Sequence, residues 1–478
     1  MRLLIPLVLL LWTECIRAQD YRAIACQLYE AYFDFREPAI KDRRFKHSEI
    51  LPLIQRLQGQ SAIESVRVAG RSIEGRELYL LRIGTGPTPV LLWSQMHGDE
   101  PTATMALFDI FRFFTRSGDG FDALRTQLRS RLSLYFLPML NPDGAERYQR
   151  RNAIDIDLNR DALRLQSPEA RLLKQIRDEV QAEWGFNLHD QSAYYAAGRS
   201  NRSASFSFLA PAYNYEKSVN EVRRHSMQLI AELADMLDAF IPDQIAKYDD
   251  SFEPRAFGDN MQGWGTRTIL VEVGGLKGDP ENQELRRIHF AMLLAAFQCI
   301  ADKSYVRQPL RAYYDIPDNR RSLHSLIVRN ATLSYEGQRF KIDLGFQSDE
   351  VSFSNWRQFY RVARLNDLGD LSTFHGYEEL DARGMLLVPG KLYPDVVPDI
   401  QALKRLDWRR LHQEGYSDIR MEKLPTYPER ESLPFRVHKA STKEVNNSIR
   451  YGGNPSFILH SDDKPAYLIV NGVIFPLN

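Results

Sequence analysis

His97 and Glu100, in the run His97-Gly98-Asp99-Glu100, stand three residues apart at the end of the apolar stretch Val90-Leu91-Leu92-Trp93-Ser94-Gln95-Met96. An imidazole nitrogen and a carboxylate oxygen are both good Zn²⁺ ligands, and a catalytic zinc takes three protein ligands and keeps one position for water. The third ligand has to come from elsewhere. Among the ten histidines, His189 is the strongest candidate, because Trp184-Gly185-Phe186-Asn187-Leu188-His189-Asp190-Gln191 also ends a short apolar stretch. By itself HxxE is more often a surface histidine with a carboxylate one helical turn away. Its surroundings change that reading.

Asn141-Pro142-Asp143-Gly144 follows a second apolar stretch, Leu132 to Leu140, and leads into Arg150-Arg151-Asn152-Ala153-Ile154-Asp155-Ile156-Asp157-Leu158-Asn159-Arg160-Asp161. A further carboxylate, Glu272, sits inside the apolar run Ile269-Leu270-Val271-Glu272-Val273. Together, and in this order, these motifs resemble the zinc metallocarboxypeptidases of the carboxypeptidase A type, over residues 45 to 300. The resemblance implies a peptide hydrolase with one zinc ion per chain, held by His97, Glu100 and His189. It implies Glu272 as the general base, Arg150 as the oxyanion-stabilising group, and Asn159 with Arg160 as the holders of a substrate's free C-terminal carboxylate.

Amide hydrolysis calls for these residue types. Zinc lowers the pKa of a bound water from about 15.7 to about 7 in favourable sites. A carboxylate in Glu272's role must reach that water without ligating the metal, take its proton and pass it to the leaving amine. The tetrahedral intermediate is anionic, and losing one comparable donor costs about 3 kcal/mol of transition-state stabilisation. An arginine fork such as that of Arg160 can donate two parallel hydrogen bonds to a carboxylate.

Several positions stay open at this level. Arg151 competes with Arg150, although the R-x-N-A register favours Arg150. Asp190 can hold a histidine proton or cap the next segment. The spacing from Glu100 to His189 (189 − 100 = 89 residues) is shorter than in the digestive members, and the loops shaping their pockets do not align. The stretch Asp249 to Trp264 is where the resemblance puts a specificity pocket, with Phe257 and Asp259 as wall candidates and Tyr248 or Tyr213 as a mobile tyrosine.

The elements that must carry these groups alternate. Helices are expected over Ser48 to Leu57, Thr102 to Thr115, Pro168 to Ala182, Glu216 to Phe240 and Glu281 to Ala301. Strands are expected over Ser65 to Ala69, Glu77 to Ile83 and Val90 to Gln95, with others ending in Asn141, His189 and Glu272. The expected fold is α/β, a mixed central sheet with helices on both faces, followed by a smaller β-rich domain. Ligands in such sheets bind outside the carboxyl ends of strands, where all three candidate metal ligands fall. After Tyr305 the texture shifts to short strand-like stretches: Leu323 to Val328, Ala331 to Tyr335, Arg339 to Leu344, Met385 to Val388, Ser456 to Leu459 and Ala466 to Ile474. Leu365 to Asp370 and His375 to Glu379 read as structural turns. The expected organisation is a signal peptide over residues 1–18, a catalytic domain over 19–305 and an accessory domain over 306–478.

Composition fits a soluble globular protein: 478 residues, 44% hydrophobic and 26% charged, with 62 basic and 62 acidic side chains. Zero net charge gives no pointer to nucleic acid. Met1-Arg2 followed by Leu3 to Trp12 has the pattern of a cleavable secretory signal, with Arg17-Ala18 before Gln19 as the cut, so the expected location is secreted or periplasmic. That apolar run is about ten residues, short of the ~20 that span a bilayer, so no stable membrane insertion is expected after cleavage. Cys26 and Cys299 remain, either bonded or free. Asn201, Asn330 and Asn446 open Asn-x-Ser/Thr sequences that matter only in a eukaryotic secretory route. A zinc amidase or endopeptidase on cell-wall peptides is the alternative enzyme, and a secreted binding protein on a peptidase fold is the alternative of another class. No G-x-S-x-G elbow, Walker motif or dinucleotide-binding glycine motif is present.

Overall fold

The computed structural model describes residues 21–426 and 429–477. The proposed signal segment lies outside the described residues. A mixed eight-stranded sheet organises the first part of the chain, in the order β1-β2-β4-β3-β5-β9-β7-β8. Its strands are β1 (Ser65–Arg71), β2 (Glu77–Ile83), β3 (Thr88–Ser94), β4 (Leu132–Leu137), β5 (Trp184–Asp190), β7 (Phe206–Leu209), β8 (Ile245–Lys247) and β9 (Arg267–Val273), while β6 (Tyr195–Ala197) stands outside it. The central strands β4, β3, β5 and β9 run parallel, and β1, β2 and β7 pair antiparallel at the flanks.

Central parallel strands are buried on both faces, which is why they read as near-continuous apolar runs. Alternation along β3 sends Val90 and Leu92 to one core and Leu91 and Trp93 to the other. The first core is closed by α1 (Tyr21–Glu30), α2 (Tyr32–Phe35), α3 (His47–Leu57) and α4 (Thr102–Thr115), joined later in the chain by α8 (Glu221–Leu237) and α10 (Gln283–Asp302). The second core is closed by α7 (Pro168–Val180) and α9 (Phe257–Gly263). Two more helices lie between, α5 (Asp122–Arg131) and α6 (Pro142–Arg147).

Differences from the sequence-based expectation sit at element ends. The α8 helix begins at Glu221 because the Asn220 side chain accepts from Arg223 N–H and caps it. The α7 helix stops at Val180 because Gln181 turns left-handed, at φ 49°. Strand β4 ends at Leu137, short of Asn141, whose side chain instead caps α6 through Gly144 N–H at 2.9 Å. Helix α5, Asp-Ala-Leu-Arg-Thr-Gln-Leu-Arg-Ser-Arg, carries too few apolar residues to announce itself. Cys26 and Cys299 are both free thiols.

The described chain divides into two units: one reaching to Gly198 and resuming over Arg202–Asn319, the other Arg199–Asn201 with Arg320 onward. Residues 306–319 group with the first unit, where Ala210 N–H donates to the buried Tyr313 hydroxyl. Past β10 (Asn319–Arg321), the second unit is β-rich. Its larger sheet contains β11 (Leu323–Tyr335), β12 (Gln338–Ser352), β13 (Phe359–Gly369), β14 (His375–Asp381), β15 (Leu386–Pro389), β19 (Phe457–Ser461), β20 (Lys464–Val470) and β21 (Val473–Pro476). A three-stranded parallel sheet holds β16 (Lys391–Val397), β17 (Tyr416–Met421) and β18 (Arg436–Lys439). The Asp-rich run Leu365–Gly369 and the segment His375–Glu379 lie on β13 and β14, so both are strand, not turn. The expected single stretch Ala466 to Ile474 is a hairpin folded at Asn471-Gly472, both residues at positive φ.

Candidate metal centre

The chain turns sharply after β3. Gln95 takes φ 46°, and Gly98 presses against the Asn141-Pro142-Asp143-Gly144 turn so closely that a Cβ on it would lie 2.1 Å from the Gly144 carbonyl carbon. The two motifs are therefore one packed unit, and glycine at position 98 is required by contact. This turn puts His97 and Glu100 over the carboxyl end of β3, with His189 at the end of the neighbouring β5.

The ligating atoms converge. His97 Nδ1 lies 2.7 Å from Glu100 Oε1, His189 Nδ1 lies 2.7 Å from Glu100 Oε2, and the two Nδ1 atoms are 3.1 Å apart. All three side chains are buried. Parallel pairing of β5 with β9 sets His189 beside Glu272, a buried carboxylate on the same face of the sheet. The candidate zinc ligands and the candidate base are thus brought together, as the sequence motifs suggested.

Arg150 joins them. Its Nη1 is 3.1 Å from His97 Nδ1 and 3.3 Å from Glu100 Oε1, while its Nε donates to Asp157 at 3.0 Å. Asp157 is the residue that sequence reasoning missed. It lies 3.2 Å from His97 Nε2 and accepts from Arg150 and from Asn159 N–H, so a single carboxylate orients both the histidine and the arginine. Its place two residues before Asn159, in an alternating Asp-Ile-Asp-Leu run, is the available signal. Asp190 caps not the next segment but an earlier helix: it accepts from Thr102 N–H at 3.1 Å and Thr102 Oγ1 at 2.8 Å where α4 begins.

Asn159 and Arg160 stand at one side. Asn159 Oδ1 accepts from Phe257 N–H at 2.9 Å, and Arg160 Nε is 3.4 Å from a Glu253 oxygen. Phe257 is buried in the second core, and Asp259 accepts from Glu253 N–H at 3.0 Å. Tyr248 rather than Tyr213 faces the carboxylates: burial, then the charge of Glu272, raises its hydroxyl above the ordinary tyrosine range. Tyr213 packs instead beside Gly263 at the end of α9.

Electrostatics show what the cluster lacks. Burial, reinforced by Glu100, holds Glu272 well above the carboxylate range and pushes Asp190 up to about 7. Burial likewise lifts Asp99 to about 6, again with help from Glu100. Burial opposes charge on His97, yet Glu100 and Asp157 outweigh it and lift His97 to about 9. Crowded acids and a proton-hungry imidazole mark a site short of positive charge. The donor set fits a divalent cation. With His97 Nε2–H given to Asp157, the Nδ1 lone pair faces Glu100, and two ligands on one tetrahedral zinc at about 2.0 Å stand about 3.3 Å apart, close to the separation found.

A His-Glu-His cluster thus stands at the carboxyl ends of parallel strands in a two-faced α/β sheet, the arrangement of a candidate metal centre. Residues 50–225 match the family described as zinc carboxypeptidase. The match holds His97, Glu100, Arg150, Asn159, Arg160 and His189, whereas Glu272 lies beyond it. The chain is similar to carboxypeptidase SOL1 of Arabidopsis thaliana, 26% identical over 184 residues, which are 32% of this chain and 37% of that protein. It is 34% identical over 98 residues to carboxypeptidase D of Mus musculus, covering 16% of this chain and 7% of that protein. The chain therefore spans little more than a third of the first of these relatives and a small fraction of the second. Among solved structures, a metallo-carboxypeptidase from Burkholderia cenocepacia superposes with a TM-score of 0.44 at 18% identity, over 55% of this chain and 70% of that one.

Proposed function

We propose that this chain is a zinc-dependent metallocarboxypeptidase that removes the C-terminal residue of peptides. The observation that carries the reading is the convergence of His97 Nδ1, His189 Nδ1 and both Glu100 oxygens, with Glu272 on the adjoining strand. His97, Glu100 and His189 would hold the zinc, which supplies a Lewis acid and a nucleophilic water at neutral pH. Glu272 takes a proton at its carboxylate and gives it to the leaving nitrogen. Arg150, held through Nε by Asp157, turns its Nη1 from Glu100 and His97 toward the oxyanion. Arg160 receives the substrate's terminal carboxylate, beside Asn159.

A second reading rests on a specific contact. Glu253 already sits against Arg160 and also pairs with Arg255. A substrate carboxylate has to displace Glu253, and if it does not, the site suits an amidase or endopeptidase. Mass spectrometry of a mixed peptide and muropeptide pool, with and without a zinc chelator, separates the two. Chelator-sensitive loss of single C-terminal residues supports the carboxypeptidase, and internal or side-chain amide cleavage supports the alternative. Export belongs to the same proposal, and N-terminal sequencing of secreted protein, expected to begin at Gln19, tests it.

A further inference from the structure

The second unit has a cavity of about 160 Å³ between β13, β18 and the β20–β21 turn. An apolar cavity near 150 Å³ in another protein holds a benzene-sized molecule, so this one has room for about one amino acid's side chain and its backbone groups. Its lining divides by chemistry. Leu433, Phe435, Val437 and Val470 supply an apolar wall, and Arg361, Arg430 and Arg436 supply guanidinium groups.

The polar lining is fixed before any ligand arrives. Arg436 donates from Nε to Asp418 at 2.7 Å, from Nη2 to Asn447 at 2.7 Å, and to the Asn454 carbonyl. Asp418 is fully buried and also accepts from His438, Ser417 and Asn447, so the arginine plane is locked in place. Acceptors are present too. Glu431 uses one oxygen on Arg361 N–H at 2.6 Å, and a carboxylate has capacity for more. Asn454 gives its amide N–H to Asn471, while its Oδ1 is shielded from solvent and has no hydrogen-bond partner among the described residues.

We infer that this cavity binds a small zwitterion of free amino-acid type: its carboxylate on guanidinium N–H groups of Arg361 and Arg430, beside the fixed charge of Arg436, its ammonium on Glu431 and Asn454 Oδ1, and its apolar side chain against Phe435 and Leu433. Planar guanidinium suits a carboxylate bidentately. A shielded acceptor without a donor is costly, and an ammonium N–H removes that cost. Such a site would sense the class of small molecule that the proposed reaction releases, yet it rests on the second unit alone.

Calorimetric titration of the full chain with L-leucine, L-leucinamide and 4-methylpentanoate tests it. L-Leucine is expected to bind. The amide, lacking the carboxylate, and the acid, lacking the ammonium, are each expected to bind at least about tenfold more weakly. Arg430→Gln and Glu431→Gln are expected to weaken L-leucine by a similar factor, with circular dichroism reporting that each remains folded. Arg160→Gln, in the other unit, is expected to leave that binding intact. Loss of binding in Arg160→Gln with retention in both second-unit variants would assign the heat to the first unit and overturn the inference. Absence of heat up to about 10 mM L-leucine overturns it as well.

Discussion

Two buried charge clusters in the first unit solve the same problem in opposite ways. Asp109 and Arg286 are both fully buried, and they meet in a fork: Nη2 to Oδ1 at 2.5 Å and Nε to Oδ2 at 2.7 Å. Tyr32 Oη and Glu37 N–H also donate to Asp109, and Arg286 further donates to the Ile40 and Glu37 carbonyls. That cluster ties α2 and the loop after it to α4 and α10. Its charges and hydrogen bonds are matched within the protein. The cluster around Glu100 is left unmatched in its geometry: two imidazole nitrogens face one another at 3.1 Å, and the buried His189 Nε2, Asp99 Oδ1 and Asp190 Oδ1 have no hydrogen-bond partner among the described residues. Matched burial makes a clamp, and unmatched burial makes a place for something to bind.

The largest test of this contrast is Glu272→Gln. Removing a general base costs about 10²- to 10⁴-fold in rate, and here the loss is expected near 10³-fold for C-terminal residue release, with metal content by elemental analysis unchanged. Stability to denaturant is expected to hold or rise, because a crowded acid has been neutralised. A variant that keeps turnover but loses stability would place Glu272 with the clamp instead.

Arg286→Met reverses that pattern. It leaves the Asp109 carboxylate buried without its partner, a change that costs about 3–5 kcal/mol. The denaturation midpoint is expected to fall accordingly, while turnover per folded molecule stays the same. Adding Asp109→Leu is expected to recover much of the loss, since a well-packed apolar pair can replace a buried ion pair. If the double variant is as unstable as the single one, shape rather than charge matching holds α2 in place.

The contrast also explains what could be read from sequence. The placement of His97, Glu100, His189 and Glu272 was legible because each follows or interrupts an apolar run, and apolar runs mark buried strands. Asp157 was not, because its role is fixed by the return of a loop rather than by any local pattern. Asp109 and Arg286 lie 177 residues apart and look like ordinary polar positions on two helices; only packing unites them. In the second unit, β13 and β14 hid behind Asp-rich and Glu-rich runs, since a half-exposed strand carries charge on its outer face.

Two residues at the margins carry the smallest effects, and their signs differ. Burial raises Asp259 to about 7, whereas burial alone lowers His289 to about 3. Neither His289 nitrogen has a partner among the described residues, and its ring packs edge-on against Phe206 at 5.6 Å. Between about pH 4 and 7 the folded state binds more protons at Asp259 than the unfolded state does, so stability falls as pH rises through that window. Asp259→Asn is therefore expected to match the parent near pH 4 and to exceed it above pH 7, by about 2 kcal/mol. For His289 the unfolded state binds the extra proton between about pH 3 and 6.5, so stability rises with pH through that window. His289→Leu is expected to stabilise by about 1 kcal/mol at pH 7.5, by removing unsatisfied nitrogens. Its gain should grow toward pH 5, where the parent's unfolded state draws a proton that the core refuses. Urea denaturation of each variant across pH 4–8 separates the two, because only His289→Leu gains as pH falls. A His289→Leu gain that did not change with pH would mean that the imidazole titrates normally, with a route to water that its packing against Phe206 does not provide.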